Sequence, residues 1–383
     1  MPRTGVKRRG HGDGSIYALK DGRWISYIRT LDGRKKFFTG PNRDVVKERL
    51  QQAQLQAEAG RLPIGRDQLV SQYLQRWLAD AVQHSVRPRT YEDYDLCVRR
   101  LLPLIGRTRL RALTPEQVQH AVSRLLDHGL APQTVRQTHM VLRKALKQAV
   151  LWRMLPTNPS DAVSAPRAER KELRTLSESE VRHFLSTTRG MRDHGLWVFL
   201  VTTGVRLGEA LALRWSDVDL NEDRVSIRRA VQYQRGVGRV FVEPKTSRSR
   251  RTVPIPQETA AILADQRRSN DRDQRRAGAL WREGDLVFPN PIGLPRNANS
   301  RSISFHQALE RAGLPRVRLH DLRHTAATHL LTKGVHPKVV QDLLGHSTIA
   351  ITLDTYSHVM PALAREASGL MSSLIPSVHD EPS

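Results

Sequence analysis

The sequence predicts a multidomain α+β protein: a small three-stranded sheet plus helix, an all-α bundle, and a mainly α domain with a small antiparallel sheet. Three observations predict it. Asp-Gly pairs punctuate short aromatic runs near the N-terminus, apolar residues recur every three or four positions between residues 67 and 155, and a Pro-, Ala- and Ser-rich stretch at 156–172 separates that region from the rest.

The first element is "GSIYALKDGRWISYIRTLDGRKKFFTG", in which Asp21-Gly22 and Asp32-Gly33 are hairpin signals between runs containing Tyr, Trp, Ile and Phe. The next stretch, "NRDVVKERLQQAQLQAEA", lacks Gly and Pro and spaces Val46, Leu50 and Ala53 helically. Residues 1–62 therefore form one small basic module, of a kind whose sheet can lie in a DNA major groove.

The strings "DQLVSQYLQRWLADAV", "TYEDYDLCVRRLLPLIG", "TPEQVQHAVSRLLDHG" and "TVRQTHMVLRKALKQAVLWRML" predict four helices bundled over 67–155. Thr114, Pro115 and Gln117 make a capping box with proline at the first helical position. Arg136, Arg143, Lys144 and Lys147 fall partly on one face of the last helix, a face that is either solvated or bound to phosphate. After the linker, Ser177 and Glu180 signal a new helix and open a domain over 173–383. Its helices are interrupted by "RVSIRRAVQY" and "GRVFVEPKTSRSRRTVPIP", which read as antiparallel strands.

Charge narrows the partner. The chain holds 62 Lys and Arg against 38 Asp and Glu, a net charge of +24, and the excess is present in all three regions. Solubility needs only a modest charge of either sign, so this surplus points to nucleic acid. The longest apolar run, "GLWVFLVTTGV", is about half of the ~20 residues a membrane span requires, and the basic N-terminus has no apolar core to make it a signal peptide. A single cysteine, Cys97, excludes an intramolecular disulfide and a cysteine-rich zinc site, and fits a reducing cytoplasm.

Several motifs carry the chemistry. In "TTGVRLGEALAL", Arg206 stands at the first turn of a helix, where a guanidinium grips phosphate by two parallel hydrogen bonds. Glu209, three residues on, either orients Arg206 or simply pairs with it. In "LHDLRHTAATHLL", His320 and Arg323 are three apart and share a helix face. His320 and His324 also have the i, i+4 spacing of zinc ligands, but Asp321 stands where that motif needs glutamate and Arg323 would place a fixed charge beside the metal. Lys245, in "EPKTSRSRRTVPIP", falls near a turn between strands and could protonate a leaving oxygen or merely touch DNA. In "LLGHSTIAITLDTYSHV", His346 precedes Tyr356 by ten residues; a phenol with a reference pKa near 10 becomes a nucleophile only where cations stabilise its developing charge.

Arg206, Lys245, His320 with Arg323, His346 and Tyr356, in that order, resemble the catalytic set of the tyrosine recombinases, the phage integrase family. The strings "TGVRLGEAL", "HDLRHTAATHLL" and "LLGHSTIAITLDTYSHV" carry the resemblance. It implies an arm-type DNA-binding domain at 1–62, a core-binding helical domain at 67–155, a linker at 156–172 and a catalytic domain at 173–383. It also implies the roles: Arg206 and Arg323 clamp the scissile phosphate, His320 and His346 hydrogen-bond it and assist proton movement, Lys245 protonates the departing 5′-oxygen, and Tyr356 attacks. The product is a 3′-phosphotyrosyl link that needs neither ATP, metal nor cofactor. Expected partners are double-stranded DNA at core and arm attachment sites, a homotetramer on that DNA, a host DNA-bending protein and an excisionase, in the cytoplasm of a bacterium. The tail "PALAREASGLMSSLI", with Leu363, Ala367, Leu370 and Leu374 in helical spacing, is suited to dock on a neighbour or to fold back. The rival classes are a DNA-binding regulator without chemistry, a type IB topoisomerase and a zinc hydrolase.

Overall fold

The computed structural model describes residues 16–29, 35–58, 67–167, 174–243, 250–282, 284–346 and 348–355, and the chain divides into two compact units, 1–170 and 171–383. Lys245, Tyr356 and the tail 361–375 lie outside the described residues.

In the first unit, strands β1 (Ile16–Ala18), β2 (Trp24–Arg29) and β3 (Lys35–Gly40) pair antiparallel in sequence order. The first Asp-Gly pair makes the expected turn: Gly22 has φ +82°, and Asp21 Oδ1 accepts from the Arg23 main-chain N at 3.1 Å. The second, Asp32-Gly33, lies outside the described residues. Alternation along β2 sends Ser26 and Ile28 to one face. Helix α1 (Arg43–Glu58) covers that face and buries Ile28 with Leu50 and Ala53. The helix starts where Asn42 Oδ1 accepts from the Val45 N at 2.9 Å. The opposite face is aromatic and cationic: Tyr27 pairs with Phe37, and the Lys35 ammonium sits 4.3 Å from the Tyr27 ring centre.

The four predicted bundle helices are α2 (Val70–Trp77), α3 (Pro88–Ile105), α4 (Pro115–Asp127) and α5 (Pro132–Leu151), with α2 running on as a π-helical turn over Leu78–Val82. Pro88, Pro115 and Pro132 each occupy the first helical position, where the missing N–H costs no intrahelical bond. The capping box forms in both directions, Gln117 N to Thr114 Oγ1 at 3.3 Å and Thr114 N to Gln117 Oε1 at 3.1 Å. The core centres on Tyr73, Trp77, Leu101, Leu142 and Leu146.

Part of the expected linker belongs to this bundle. Pro159–Ala162 forms a 3-10 turn, Leu155 and Val163 are buried in the bundle core, and Asp161 pairs with Arg143 at 2.6 Å. Proline and serine marked the stretch as a spacer, yet the same residues build a short strap that covers apolar surface. The basic face of α5 is likewise partly engaged: Arg143 holds the strap, and Lys144 donates to the Tyr94 hydroxyl at 3.2 Å.

The second unit begins with α6 (Glu178–Thr187), capped as expected by Ser177 and Glu180. The apolar run too short for a membrane is α7 (His194–Thr203), buried along Gly195–Leu200. Among the described residues no helix is long and apolar enough to cross a membrane. One turn of helix, α8 (Leu207–Ala210), follows. The expected small sheet is divided. Strands β4 (Val218–Asp219), β5 (Arg224–Ile227) and β8 (Arg251–Pro254) form one sheet in the order β4-β5-β8, while β6 (Ala230–Gln234) and β7 (Gly238–Val242) form a separate hairpin. The run "RVSIRRAVQY" breaks at Arg228 and Arg229, whose guanidinium groups turn to the buried Asp217. Helices α9 (Gln257–Ala277), α10 (Ala298–Arg311), α11 (Asp321–Thr332), α12 (Pro337–Leu344) and α13 (Ile349–Thr355) complete the unit. Its core gathers Phe184, Trp197, Phe199, Phe288 and Phe305.

Gly204 ends α7 in the left-handed region at φ +63°, and a Cβ there would stand 2.5 Å from Leu344 Cδ2. Leu344 is fully buried and has little room to yield. Gly204→Ala should therefore cost about 2–4 kcal/mol, the sum of left-handed backbone strain and overpacking. Urea unfolding checks it; a loss under about 0.5 kcal/mol would show that α12 gives way freely.

Candidate active site

The site is assembled from chain turns that end helices. Because α7 stops at Gly204, Arg206 falls at the N-cap of α8 and its side chain leaves the helix core. Glu209 accepts from the Arg206 main-chain N at 3.0 Å and from its guanidinium at 2.7 Å. The two sequence readings of this pair are compatible, since the ion pair forms while 40% of the Arg206 side chain stays exposed. Burial pushes the Glu209 carboxyl up, but the charge and hydrogen bond of Arg251, followed by Arg206, outweigh it and hold the group below its ordinary range.

In the second motif His320 and Arg323, three residues apart, differ in burial. Arg323 turns inward, is 3% exposed, and donates to the Gly204 carbonyl at 2.8 Å. His320 stays at the surface, edge-on to His324 with ring centres 5.3 Å apart. Among the described residues, no third metal-ligating side chain joins this pair in a cluster. Asp321 is engaged elsewhere, accepting from the Arg318 main chain and guanidinium, both at 2.8 Å.

The third motif supplies His346 from the turn after α12. Gly345 caps that helix at φ +68°, and its carbonyl accepts from Arg206 Nη2 at 3.2 Å. His346 Nδ1 is 2.8 Å from the hydroxyl of Thr352, a fully buried residue of α13, and the His346 carbonyl accepts from Gln341 Nε2 at 3.1 Å. Arg206, Arg323 and His346 thus act on one another from three separated motifs, while His320 lies against His324 on the helix of Arg323. Nothing is placed for Lys245 and Tyr356, which lie outside the described residues, although α13 ends at the residue before Tyr356.

The imidazoles answer to burial and to the charges around them. Burial first, then Arg323 and Arg206, push His346 down to about 4. The protein packed around His320, then His324 and Arg323, does the same to that ring, also to about 4. Both are therefore neutral at pH 7 and able to donate from one nitrogen while accepting at the other. In the unfolded chain they titrate near 6.5, so between pH 6.5 and about 4 the unfolded state binds protons that the fold refuses. The DNA-free protein should lose stability as pH falls through that window and be level above it. Urea midpoints from pH 7.5 to 4.5 check this, and a flat profile would mean that the rings titrate in the fold as they do in the unfolded chain.

Sequence reasoning missed Arg251. It shares one face of β8 with Val253, and its side chain is 7% exposed. The signal was available: in "RTVPI" the alternation that buries Val253 and Ile255 also turns Arg251 inward. Arg251 also borders a cleft of about 830 Å³ lined by Arg214, Arg228, Arg229 and Arg250, a cationic surface suited to a polyanion.

Comparison with known proteins is consistent along the chain. Residues 174–362 match the Phage integrase family, and residues 69–126 match the phage integrase N-terminal SAM-like domain. The tyrosine recombinase XerC of Halalkalibacterium halodurans is 30% identical over 309 residues, covering 78% of this chain and 95% of that protein. Among solved structures, the Tn1549 transposon integrase in complex with transposon right end DNA superposes with a TM-score of 0.70 at 21% identity, over 80% of this chain and 100% of that one. A lambda integrase tetramer bound to a Holliday junction gives 0.57 at 17% identity, over 91% and 96%. Both structural likenesses are likenesses of fold.

Proposed function

The chain belongs to the phage integrase family of tyrosine recombinases, enzymes that cleave and rejoin DNA strands, and on that footing we propose that it inserts and removes a phage or other mobile element at a specific attachment site. The observation that carries the reading is the gathering of Arg206, Arg323 and His346 around the turns at Gly204 and Gly345.

In this reading the tyrosine oxygen of Tyr356 attacks the scissile phosphorus, a 3′-phosphotyrosyl bond forms, and the bond to the 5′-oxygen breaks. Arg206 and Arg323 hold the non-bridging oxygens, where fixed cations stabilise charge on pentavalent phosphorus. His320 and His346, neutral beforehand, donate to the phosphate and take part in moving the phenol proton. Lys245 protonates the leaving 5′-oxygen. The phosphodiester energy stays in the protein link, so a 5′-hydroxyl of another strand reverses the step.

Residues 1–62 take the part of an arm-site module, supported by the aromatic and cationic outer face of the small sheet. The helical domain takes that of a core-site clamp, and four protomers gather two duplexes, with a DNA-bending protein and an excisionase setting the geometry and direction. The lambda integrase tetramer, alike in fold, supports this assembly. The test is a nicked suicide duplex spanning the element junction, read for an SDS-resistant protein–DNA adduct. Tight binding to a verified site without any adduct would favour a DNA-binding regulator instead.

A further inference from the structure

Arg251 sits where three chain segments meet. Its Nε donates to the Leu343 carbonyl at 2.6 Å, and its Nη2 donates to Glu209 Oε2 at 2.9 Å. Glu209 in turn binds Arg206 through both carboxylate oxygens, and Arg206 Nη2 reaches the Gly345 carbonyl. These bonds close a circuit from β8 through α8 to the turn that presents His346, and back to β8. Gly345 has no side chain to obstruct it: a Cβ there would stand 3.0 Å from Arg251 Nη1 and 3.2 Å from its Cζ.

We propose that Arg251 is a positioning residue for strand cleavage, which neutralises Glu209 so that the charge of Arg206 remains available to the scissile phosphate, and which locks the His346 turn to the same frame. This rests on the recombinase reading above. The charge count carries the argument. Glu209 is 5% exposed in its side chain and cannot remain an unpaired carboxylate. With Arg251 beside it, also nearly buried at 7%, the two cancel, and Arg206 keeps its full positive charge with 40% of its side chain open. Without Arg251, Arg206 is left as the counter-ion of Glu209 among the described residues, and the carboxylate competes with the phosphate for one guanidinium. The second bond matters as well. A lysine at 251 restores the charge but has no planar fork with which to hold Leu343 and Glu209 together in the same geometry.

The Arg251 guanidinium is nearly buried and bonded to Leu343 and Glu209, so its effect should pass through Arg206 and His346. The experiment is single-turnover cleavage of the suicide duplex by full-length wild type, Arg251→Gln and Arg251→Lys, with either a normal phosphate or a neutral methylphosphonate at the scissile position. DNA affinity is measured alongside, and the His346 imidazole is titrated by NMR in the DNA-free proteins. On the phosphate, Arg251→Gln should cleave about 100-fold more slowly with affinity within about 3-fold, and Arg251→Lys should recover to within about 10-fold of wild type. On the methylphosphonate, which carries no charge to clamp, the deficit of Arg251→Gln should shrink to under about 10-fold. The titration of His346 should shift upward in Arg251→Gln.

An equal deficit on both substrates would make Arg251 merely structural and overturn the proposal, as would full-speed cleavage of the phosphate by Arg251→Gln. Should Arg251→Gln fail to fold, Arg251→Lys carries the same substrate comparison. If wild type itself forms no adduct on a verified site, the recombinase reading fails, and the NMR titration still decides the brace: an unmoved His346 overturns it.

Discussion

Tyr356→Phe should bind attachment-site DNA as wild type does and form no covalent adduct. The substitution removes one oxygen and leaves the ring, so the charged groups that meet phosphate are unchanged and affinity should stay within about 3-fold. Cleavage should fall by on the order of 10⁵ or more, the scale seen when a covalent nucleophile is deleted from a machinery that works as a unit. A phenol near pKa 10 is a poor nucleophile in water, and on the proposed mechanism it becomes competent where guanidinium groups stabilise the charge that develops on the phosphate. The remaining cations and neutral imidazoles can hold the phosphate but have no oxygen to offer it. Persistence of an adduct of unchanged mobility in Tyr356→Phe would assign the bond to a different residue, and a peptide map of the adduct would identify it.

Arg323→Lys should be the most damaging conservative change in the described part of the site. Arg323 is 3% exposed and already donates to the Gly204 carbonyl, the residue whose left-handed turn releases Arg206. A planar guanidinium can keep that bond with one nitrogen and offer another to phosphate; an ammonium at the end of a flexible stem does not reproduce the fork. Single-turnover cleavage should drop about 10²–10³-fold, equivalent to about 3–4 kcal/mol of lost transition-state stabilisation. Folding stability should drop by about 1–3 kcal/mol if the Gly204 carbonyl is left without its partner. The two effects separate experimentally. Urea unfolding reads the second, while cleavage at a temperature well below unfolding reads the first. A variant that is destabilised but cleaves at full rate would confine Arg323 to a structural role.

What could be read in advance was whatever depends on neighbours within a few residues. Capping residues announced α4 and α6, and the Asp21-Gly22 turn and the helical spacing of Val46, Leu50 and Ala53 announced the first module. Misreadings occurred where a local signal had a distant partner. The strap at 156–163 looked like spacer because proline and serine avoid helix, and only the bundle surface shows that Val163 is buried. The spacing of His320 and Arg323 could not show how deeply each sits, because Arg323 is held inward by a carbonyl 119 residues earlier.

The sequence by itself determined the helices and the turns and named the candidate reactive side chains, because periodicity, caps and functional groups are local properties of the chain. Tertiary structure alone decided how those side chains are charged and held. Glu209 acquires its second counter-ion, Arg251, from 42 residues away, Arg206 its bond to the Gly345 carbonyl from 139 residues away, and His346 its neutral ring from burial and from Arg323 and Arg206. Electrostatic interaction depends on distance and burial in the folded state, and neither is written in the spacing of residues along the chain.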